Sequence, residues 1–442
     1  MKRFFPALPL ILLAPSLMAA DYSPSGEISS LLAGGLFWTH DNAGQFLAGE
    51  LNAGGSLKVY GEKSSAYIDG RLTFDALKAR SASSRFDFVT DDSSVQLSLK
   101  EAWLDYEMGL VSFRIGRQIE AWGKADGLQV TDILCPKDER NMIASSYSDS
   151  RLGIDGVKLS LNTEKIVCQG YHIPFFTPSA LPLADGNPIK KIMIPQSISM
   201  GKMTAYINEV TSSNFTLPDT ALYNSEGAVK ISSYLSLGDF SLYGFYGFDR
   251  EPLLSYSGEN TGGNYSITVK GSYKRMAMLG FDGAIPVKEV VFRFEGAFYP
   301  RKYFSVKAER QLSGEEAFVQ KDNFIALAGF DWMPSSWTIT AQYYLDYLSD
   351  SEDEIDRHSY EHKATLSLSK SLLEENLKLS LSGILGLNDF DSMISAKGEY
   401  ALTDSMKITL GGDFFIPGPE EKGKYGKYQD LSCLYLKAKY CF

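Results

Sequence analysis

Four residues on two neighbouring stretches of the chain have the types and spacing of a charged, aromatic cluster. Glu101, Trp103 and Asp105 occupy alternate positions, so they share one face of an extended strand. A two-residue turn at Met108-Gly109 would place Arg114 opposite Trp103 on the returning strand. An arginine beside two carboxylates and over an indole face can form a cation–π contact. Such a cluster either braces a neighbouring loop or contacts a solute, and the sequence leaves both roles open.

The stretch 118–152, which follows this cluster, mixes apolar and polar side chains. Ile119, Leu128, Val130 and Ile133 have little reason to face bulk water, so we expect this loop to fold inward. If the loop enters an interior space, the residues that would line or narrow that space are Gln118, Trp122, Asp126, Asp132 and Asp138. A second long loop, 174–223, is rich in proline, with Pro174, Pro178, Pro182, Pro188 and Pro195 among them, and is expected to narrow the outer mouth of the barrel predicted below.

Further candidate lining residues lie on later strands. They are Arg293, Glu295, Lys397 and Lys437. Basic residues fall mainly on the last four predicted strands and acidic residues on predicted strands 11 to 13. Opposed walls of unlike charge would create a field across an interior space, although a simple mixture of interior charges explains the same pattern.

Catalytic chemistry is not indicated. The chain has four histidines, and His358 and His362 would lie about 13 Å apart on a strand, too far to share a metal ion. A nucleophile with its base and orienting group is not apparent, and Gly-x-Ser-x-Gly does not occur. We therefore expect neither an enzyme nor a metal or other cofactor.

Alternating apolar and polar residues predict the elements that carry these side chains. We predict an all-β fold, a transmembrane antiparallel up-and-down β-barrel of about eighteen strands, with sixteen as the alternative. The predicted strands are 26–39, 45–60, 64–78, 94–108, 110–118, 153–162, 165–174, 224–237, 239–249, 270–286, 288–303, 322–334, 336–348, 358–370, 376–389, 391–403, 405–416 and 428–442. In strand 165–174 polar and apolar residues do not alternate clearly, so polarity does not predict which side chains face lipid and which face the interior.

Loop lengths support a membrane barrel. Connections after even-numbered strands are short, whereas most of those after odd-numbered strands are long. Outer-membrane barrels combine short periplasmic turns with long outer loops. The 25 tyrosines and 26 phenylalanines suit the aromatic girdles of such a barrel. A net charge of −11 does not indicate a nucleic-acid partner.

The two ends of the chain agree with this prediction. Residues 1–20 have a basic start, an apolar run and a small-residue exit, as in a cleaved signal peptide, which leaves 21–442 as the barrel. The terminal stretch 428–442 alternates and ends in Phe442. It resembles the carboxy-terminal signal strand of Gram-negative outer-membrane barrels, which implies that Tyr440 and Phe442 are read by the barrel assembly machinery.

Four cysteines, Cys135, Cys168, Cys433 and Cys441, are present. The spacing of Cys433 and Cys441 within one strand excludes a disulfide between them. A bridge between Cys135 and Cys168 and four unpaired thiols both remain open.

A set of short motifs resembles a broad family of uncharacterised, porin-like proteobacterial outer-membrane proteins. The motifs are Gly116-Arg117-Gln118, Trp122-Gly123, Asp126-Gly127, Val130-Thr131-Asp132 and Pro136-Lys137-Asp138, followed by a similar loop at 173–182. The chain departs from the family at Cys135, where asparagine is usual. The resemblance implies a barrel that passes a solute, and it does not imply which one.

From these observations we expect a passive channel for small hydrophilic or amphipathic solutes in the outer membrane of a diderm bacterium. The alternative is a structural or partner-binding barrel with a blocked lumen, since a plugged barrel has the same strand pattern. Expected partners are outer-membrane lipid, lipopolysaccharide and the assembly machinery; whether the chain forms a homo-oligomer is open.

Overall fold

The computed structural model describes residues 21–36, 44–125, 127–128, 130–144, 149–194, 197–200, 203–261, 264–349, 354–419 and 423–442. Eighteen antiparallel strands follow one another around a closed barrel. The predicted signal peptide, 1–20, lies outside the described residues, as does Asp126.

The barrel strands, labelled β1 to β18 in chain order, are Asp21–Gly35, Phe46–Tyr60, Ser64–Asp75, Val95–Met108, Val111–Gln118, Ile154–Asn162, Ile166–Phe175, Glu226–Leu235, Gly238–Phe248, Arg275–Val287, Val290–Ser305, Phe318–Trp332, Trp337–Leu348, Tyr360–Leu372, Leu377–Gly386, Ser392–Ala401, Met406–Ile416 and Cys433–Cys441.

Closure of the barrel joins the first strand to the last. β1 pairs with β2 along one edge and with β18 along the other, where Ile28 lies opposite Tyr440. Beyond the end of β18, Gly26 and Phe442 exchange two backbone hydrogen bonds of 2.8 and 2.9 Å. The closing pair removes the edge that an open sheet would expose to lipid.

The predicted eighteen-stranded barrel is confirmed, and each predicted strand overlaps one observed strand. Boundaries differ most near the outer loops. β18 begins at Cys433 rather than 428 because Gly426–Leu431 forms a 3₁₀ helix that packs on β17. β12 begins at Phe318, four residues before its predicted start, because its partner β11 extends to Ser305.

The connections differ between the two ends of the barrel. Turns after even-numbered strands have two to four residues, whereas most connections after odd-numbered strands are much longer. Two of the long loops together form a separate five-stranded sheet from Ser197–Met200, Met203–Ile207, Phe215–Thr216, Leu253–Thr261 and Asn264–Ser272. Short helices occupy Lys190–Met193 and Ala308–Leu312.

The two faces of the strands differ in polarity. Outward-facing Leu242, Leu279 and Leu410 are 61–65% exposed, whereas inward-facing Asp282 and Asp331 are buried. An apolar outer face and a polar inner face are what a barrel requires in lipid. Among the described helices, none has the length and apolar character that crossing a membrane requires.

Strand β7 shows why its facing could not be predicted from polarity. Tyr171 and Ile173 point inward and are buried, and Ile166 lies exposed on the other face. The inner face is apolar here because the loop between β5 and β6 packs against it. Both faces of this strand therefore meet apolar surroundings.

Candidate functional site in the barrel interior

The connection from β5 to β6, residues 119–153, enters the barrel and is called the inward loop below. Trp122 is its main apolar contact with the wall: its ring lies 4.9 Å from that of Tyr243 and 5.8 Å from that of Tyr171. Leu134 is fully buried in the same cluster. The cluster also includes inward side chains of β6 to β13: Ile154, Tyr171, Ile173, Ala228, Tyr243, Phe245, Met276, Met278, Ala297, Tyr299, Leu327 and Tyr344.

Glu295 on β11 fixes the backbone of this loop. Its carboxylate accepts hydrogen bonds from the backbone N–H groups of Lys124 and Ala125. It also accepts the backbone N–H of Thr131, at 3.4 Å, and its hydroxyl, at 3.2 Å. Next to it, Arg293 donates to the Lys124 carbonyl at 2.9 Å and pairs with Asp331. Glu295 is thus buried beneath the loop, whereas Arg293 contacts the loop and remains partly exposed.

Two further carboxylates hold the backbone of the loop: Asp132, which belongs to the loop, and Glu101, which lies on β4 beside the start of the loop. Asp132 accepts the backbone N–H of Trp122 at 3.0 Å and pairs with Arg151 at 2.6 Å. Glu101 accepts the backbone N–H of Ile119 at 2.7 Å. The predicted loop residues are therefore tied to β4 and to each other at the point where the loop leaves the wall.

Glu101 and its neighbour Lys100 both point into the barrel because β4 contains a bulge. Leu99 pairs with Gly70 and Glu101 pairs with Asp69, which leaves Lys100 without a partner on β3. A bulge of this kind shifts the alternation of the strand by one residue. Lys100 then lines an open interior space, while Glu101 holds the loop root.

The predicted cluster at the β4–β5 hairpin is present, but its predicted pairing was wrong. Arg114 lies opposite Asp105, and Trp103 lies opposite Gly116, because the turn is Gly109-Leu110 and not Met108-Gly109. The Arg114 guanidinium lies 3.9 Å from the Trp103 ring centroid and 2.8 Å from Asp105. It also lies 3.8 Å from Glu120, which pairs with Lys158.

The later part of the inward loop reaches the opposite wall. Ile143 is buried against Leu31, Leu47 and Tyr435, which belong to β1, β2 and β18. The backbone N–H of Ala144 donates to Asp413 on β17 at 3.0 Å. Since the first part packs on β6 to β13, the loop crosses the barrel from one side to the other.

A buried ionic network holds this crossing segment to β2, β3 and β4. Arg140 makes a bidentate pair with Asp138, at 2.6 and 2.7 Å, and donates to Gln96 at 3.1 Å. Burial acts to raise the pKa of Asp138, but Arg140 outweighs it and keeps the pKa below its ordinary value. Beside them, Arg80 pairs with Glu50 and Asp75. A bidentate, buried arrangement of this kind is strongly directional.

An open space of about 900 Å³ remains between the crossing segment and the wall of β1 to β4 and β18. Most of its lining side chains are polar: Glu27, Ser29, Leu31, Glu50, Asn52, Arg71, Thr73, Arg80, Gln96, Ser98, Lys100, Asp138, Arg140, Asn141, Ile143, Ala144, Asp149, Ser150, Lys437 and Lys439. It is called the lumen space below. The inward loop therefore divides the interior into an apolar, filled side and a charged, open side.

The structure separates the predicted lining residues into two groups. Asp138 and Lys437 line the lumen space. Trp122, Asp132 and Glu295 do not, because the packing of the loop buries them, and the partly exposed Arg293 also lies outside that space. Gln118 is buried and donates to the Gly156 carbonyl at 3.4 Å.

The remaining predicted residues lie elsewhere. Lys397 is exposed on β16, outside the lumen space. The cluster of Glu101, Trp103, Asp105 and Arg114 lies at the root of the inward loop and contributes no lining residue to that space. Sequence reasoning missed Arg71, Lys100 and Arg140. The alternation of β3 could have indicated Arg71, whereas the bulge that turns Lys100 inward leaves no signal in the polarity pattern.

The four cysteines are all unpaired. Cys135 is buried in the inward loop, where its sulfur accepts the backbone N–H of Glu120 at 3.2 Å. Burial raises the pKa of its thiol to about 12. Cys135 therefore acts as a small buried side chain that closes the base of the loop.

No family model matches the chain, and no curated protein sequence matches it significantly. Solved structures do share its fold. OccAB1 of Acinetobacter baumannii is 9% identical, with a TM-score of 0.53, over 97% of each chain. OccK2 of Pseudomonas aeruginosa, solved with glucuronate, is 9% identical, with a TM-score of 0.51, over 96% of this chain and 98% of that one.

A third structure, OccAB3 of Acinetobacter baumannii, is 10% identical over 96% of this chain and 99% of that one, with a TM-score of 0.51. At this level of identity the likeness concerns the fold. The chain thus has the fold of outer-membrane porin-type channels. This fold and the apolar outer face of the barrel place it in the outer membrane.

Proposed function

We propose that this chain is a passive outer-membrane channel for small hydrophilic solutes and that their path is the lumen space along β1 to β4 and β18. The observation that carries the proposal is the division of the interior by the inward loop. One side is filled by the apolar cluster around Trp122, and the other remains open and charged. A wet, polar path beside a rigid loop is the arrangement of a selective pore.

The charges of the lumen space favour anions among such solutes. Its lining has six basic side chains, Arg71, Arg80, Lys100, Arg140, Lys437 and Lys439, and four acidic ones, Glu27, Glu50, Asp138 and Asp149. Excess positive charge in a confined path raises the local concentration of anions.

Ion pairs occupy most of the other basic groups of this lining. Arg71 and Lys439 both contact Glu27, at 3.0 and 2.6 Å, and Arg140 is neutralised by Asp138. Lys100 and Lys437 make no ion pair within the described part of the chain. We infer that these two ammonium groups attract the solute.

OccK2, which shares the fold of this chain, was solved with glucuronate, a small hydroxylated carboxylate. That ligand is an example of the anionic solute class proposed for this chain. A solute of that kind would use both features of the lumen space. Its hydroxyl groups would meet Asn52, Thr73 and Ser98, and its carboxylate would meet Lys100 or Lys437.

Single-channel recording of the purified protein in planar bilayers tests the proposal. We expect steady conductance in KCl and, in a salt gradient, a reversal potential that indicates anion preference. Added glucuronate should reduce the KCl current as it occupies the path. A protein that inserts in its folded form but conducts no current would contradict the channel and favour a structural barrel with a blocked lumen.

A matched pair of variants locates the path. Lys437→Glu reverses a charge in the lumen space, and Lys397→Glu makes the same change on β16 outside it. We expect Lys437→Glu to lower the anion-to-cation permeability ratio severalfold and Lys397→Glu to leave it nearly unchanged. Equal effects of the two variants would show that the path lies elsewhere.

The predicted partners follow from the same proposal. The outer face contacts lipid and, near the long loops, lipopolysaccharide, and the assembly machinery recognises Tyr440 and Phe442 at the carboxyl end. Cross-linking in whole cells would test these contacts, and native mass spectrometry of the purified protein would give the number of chains in the assembly.

A further inference from the structure

The five-stranded sheet of the outer loops has its own small core and a cavity beside it. The core consists of Ile198, Ala205, Val210, Ile267 and Val269. The cavity encloses about 670 Å³ of empty space, part of which is continuous with the solvent. Its described lining is Leu181, Pro182, Leu183, Met193, Ile194, Ile207, Val210, Phe215, Glu251, Pro252, Leu254, Tyr256 and Val269.

Glu251 is the only charged side chain in this described lining, and Tyr256 is the only other polar one. Glu251 lies in the loop that follows β9, where its backbone N–H donates to Asp249 at 3.3 Å. The Ser179 hydroxyl lies near its carboxyl group and acts to lower its pKa. One acid therefore faces an otherwise apolar cavity.

The segment that contains Ser179 brings a second acid close to Glu251. Ser179 donates its backbone N–H to the Arg250 carbonyl at 3.1 Å, and Ala180 donates to the Lys137 carbonyl at 2.8 Å. On the same side, the backbone N–H of Glu139 donates to the Ala180 carbonyl at 2.9 Å. The inward loop and the loop after β9 thus lie on either side of residues 179–180.

Burial and the nearby Glu139 raise the pKa of Glu251 to about 7. The other charged groups that face it are Asp249, which raises its pKa further, and Lys137, which lowers it. Asp249 is itself paired with Lys302 at 2.9 Å. Lys137 acts on Glu139 as well, and within the described part of the chain an ionised Glu251 makes no ion pair of its own.

We propose that this cavity binds a small molecule with an apolar body and a single ammonium group, with Glu251 accepting the ammonium. The apolar walls would bury the body, which is favourable roughly in proportion to the area removed from water. The ammonium would neutralise the half-buried carboxylate, and charge-assisted hydrogen bonds of this kind are the stronger ones. A carboxylate ligand would instead add a like charge beside Glu251 and Glu139.

This site is separate from the proposed path. A second open space lies between the cavity and the lumen space. It shares Leu181, Leu183 and Phe215 with the cavity. It shares Arg80 with the lumen space. The cavity therefore lies near the outer end of the path without being part of it. Because the lumen space carries excess positive charge, an ammonium ligand would bind at this site rather than pass.

Three probes with one apolar body and different heads test the proposal: phenethylamine, 2-phenylethanol and 3-phenylpropionate. Each is titrated at pH 8 into the full-length protein in detergent, and binding is followed by calorimetry or by ligand-observed NMR. We expect saturable binding of phenethylamine that is at least about tenfold tighter than that of the other two probes. Equal affinities for the three probes, or no saturable binding of the amine, would overturn the proposal.

Three variants identify the site. Glu251→Gln keeps the shape but removes the charge, and should weaken amine binding about tenfold. Met193→Trp fills the partly exposed edge of the cavity and should weaken binding of every probe that binds. Glu259→Gln is the matched control: it makes the same Glu-to-Gln substitution at an exposed position of the same sheet and should leave binding unchanged. Unchanged amine affinity in Glu251→Gln would contradict the assignment, and heat-modifiable migration confirms that each variant is folded.

Discussion

Asp105 lies directly opposite Arg114 across the β4–β5 hairpin, with 2.8 Å between the carboxylate oxygen Oδ2 and the guanidinium Nε. The guanidinium stacks on Trp103 at the same time, so one side chain meets both a charge and an aromatic face. Its other neighbour, Glu120, is the second residue of the inward loop. The hairpin thereby connects the barrel wall to the beginning of that loop.

Replacing Arg114 by Ala should increase the noise of the single-channel current without preventing assembly. Asp105 and Glu120 would lose the cation between them, which loosens the start of the inward loop. The Arg114 side chain is about a quarter exposed, so the folding cost should be small, about 0–1 kcal/mol. Asp105→Ala added to Arg114→Ala removes part of the repulsion and should restore some of the steadiness. A current trace identical to that of the wild type would show that this pair does not hold the loop.

Replacing Glu295 by Ala should have a larger effect. The variant leaves the backbone N–H groups of Lys124 and Ala125 without their acceptor, and a buried unsatisfied group costs about 1–3 kcal/mol. Hydrogen exchange in the segment 122–131 should become faster, and the inward loop should become accessible to protease. Glu399→Ala, which removes an exposed partner of Lys407 on the same barrel, is the control. Equal exchange rates in the two variants would contradict this anchoring role.

The sequence predicted the barrel well because alternation is a property of each strand taken alone. Leu377, Leu379 and Leu381 face outward whether or not the neighbouring strands are known. The register of the β4–β5 hairpin was harder to predict from the sequence. The turn could be placed at Met108-Gly109 or at Gly109-Leu110. The structure pairs Met108 with Val111, and the φ of +63° at Gly109 suits a glycine in the first turn position.

The site was predicted only in part because the inward loop decides which interior residues remain open. Glu295 and Lys437 look alike in the sequence as charged residues at inward positions. The loop covers the first and leaves the second in the lumen space. Similarly, the apolar inner face of β7 is explained only by the contact between Trp122 of the inward loop and Tyr171. These are contacts between residues far apart in the chain, and no local pattern encodes them.

Amine binding in the outer cavity should depend on pH through Glu251. Burial and Glu139 raise its pKa to about 7, so the carboxyl group is largely ionised at pH 8 and largely protonated at pH 5.5. Phenethylamine stays an ammonium over this range, because amines of this kind have a pKa of about 10. Its affinity should therefore fall as the pH is lowered through 7, and the fall should be absent in Glu251→Gln. Constant affinity between pH 5.5 and 8 would argue against Glu251 as the acceptor.

The two faces of β15 should respond differently to a lysine. Leu381 is 46% exposed on the outer face, and Ser382 lies next to it on the inner face. Lysine at a lipid-facing midplane position costs about 2–4 kcal/mol in such barrels, whereas an interior lysine remains hydrated. Unfolding of Leu381→Lys and Ser382→Lys in liposomes with urea measures the difference. Equal stabilities of the two variants would mean that the facing of this strand is misassigned.

The contact between Phe442 and Gly26 gives a prediction about assembly. The Phe442 ring lies over Gly26 so closely that a side-chain carbon on the glycine would come within 2.5 Å of the ring. Gly26→Val should therefore displace the terminal aromatic and weaken the closing pair, and replacing Tyr440 and Phe442 by Ser should remove the terminal signal altogether. The double serine variant should accumulate as unfolded, heat-unmodifiable protein, and Gly26→Val should lower the assembled fraction only in part, because the exposed Phe442 ring can swing aside. Gly55→Val, at a glycine of β2 with open space beside it, is the matched control and should assemble normally. Normal amounts of membrane-inserted Gly26→Val would show that the ring's position over Gly26 does not contribute to closure.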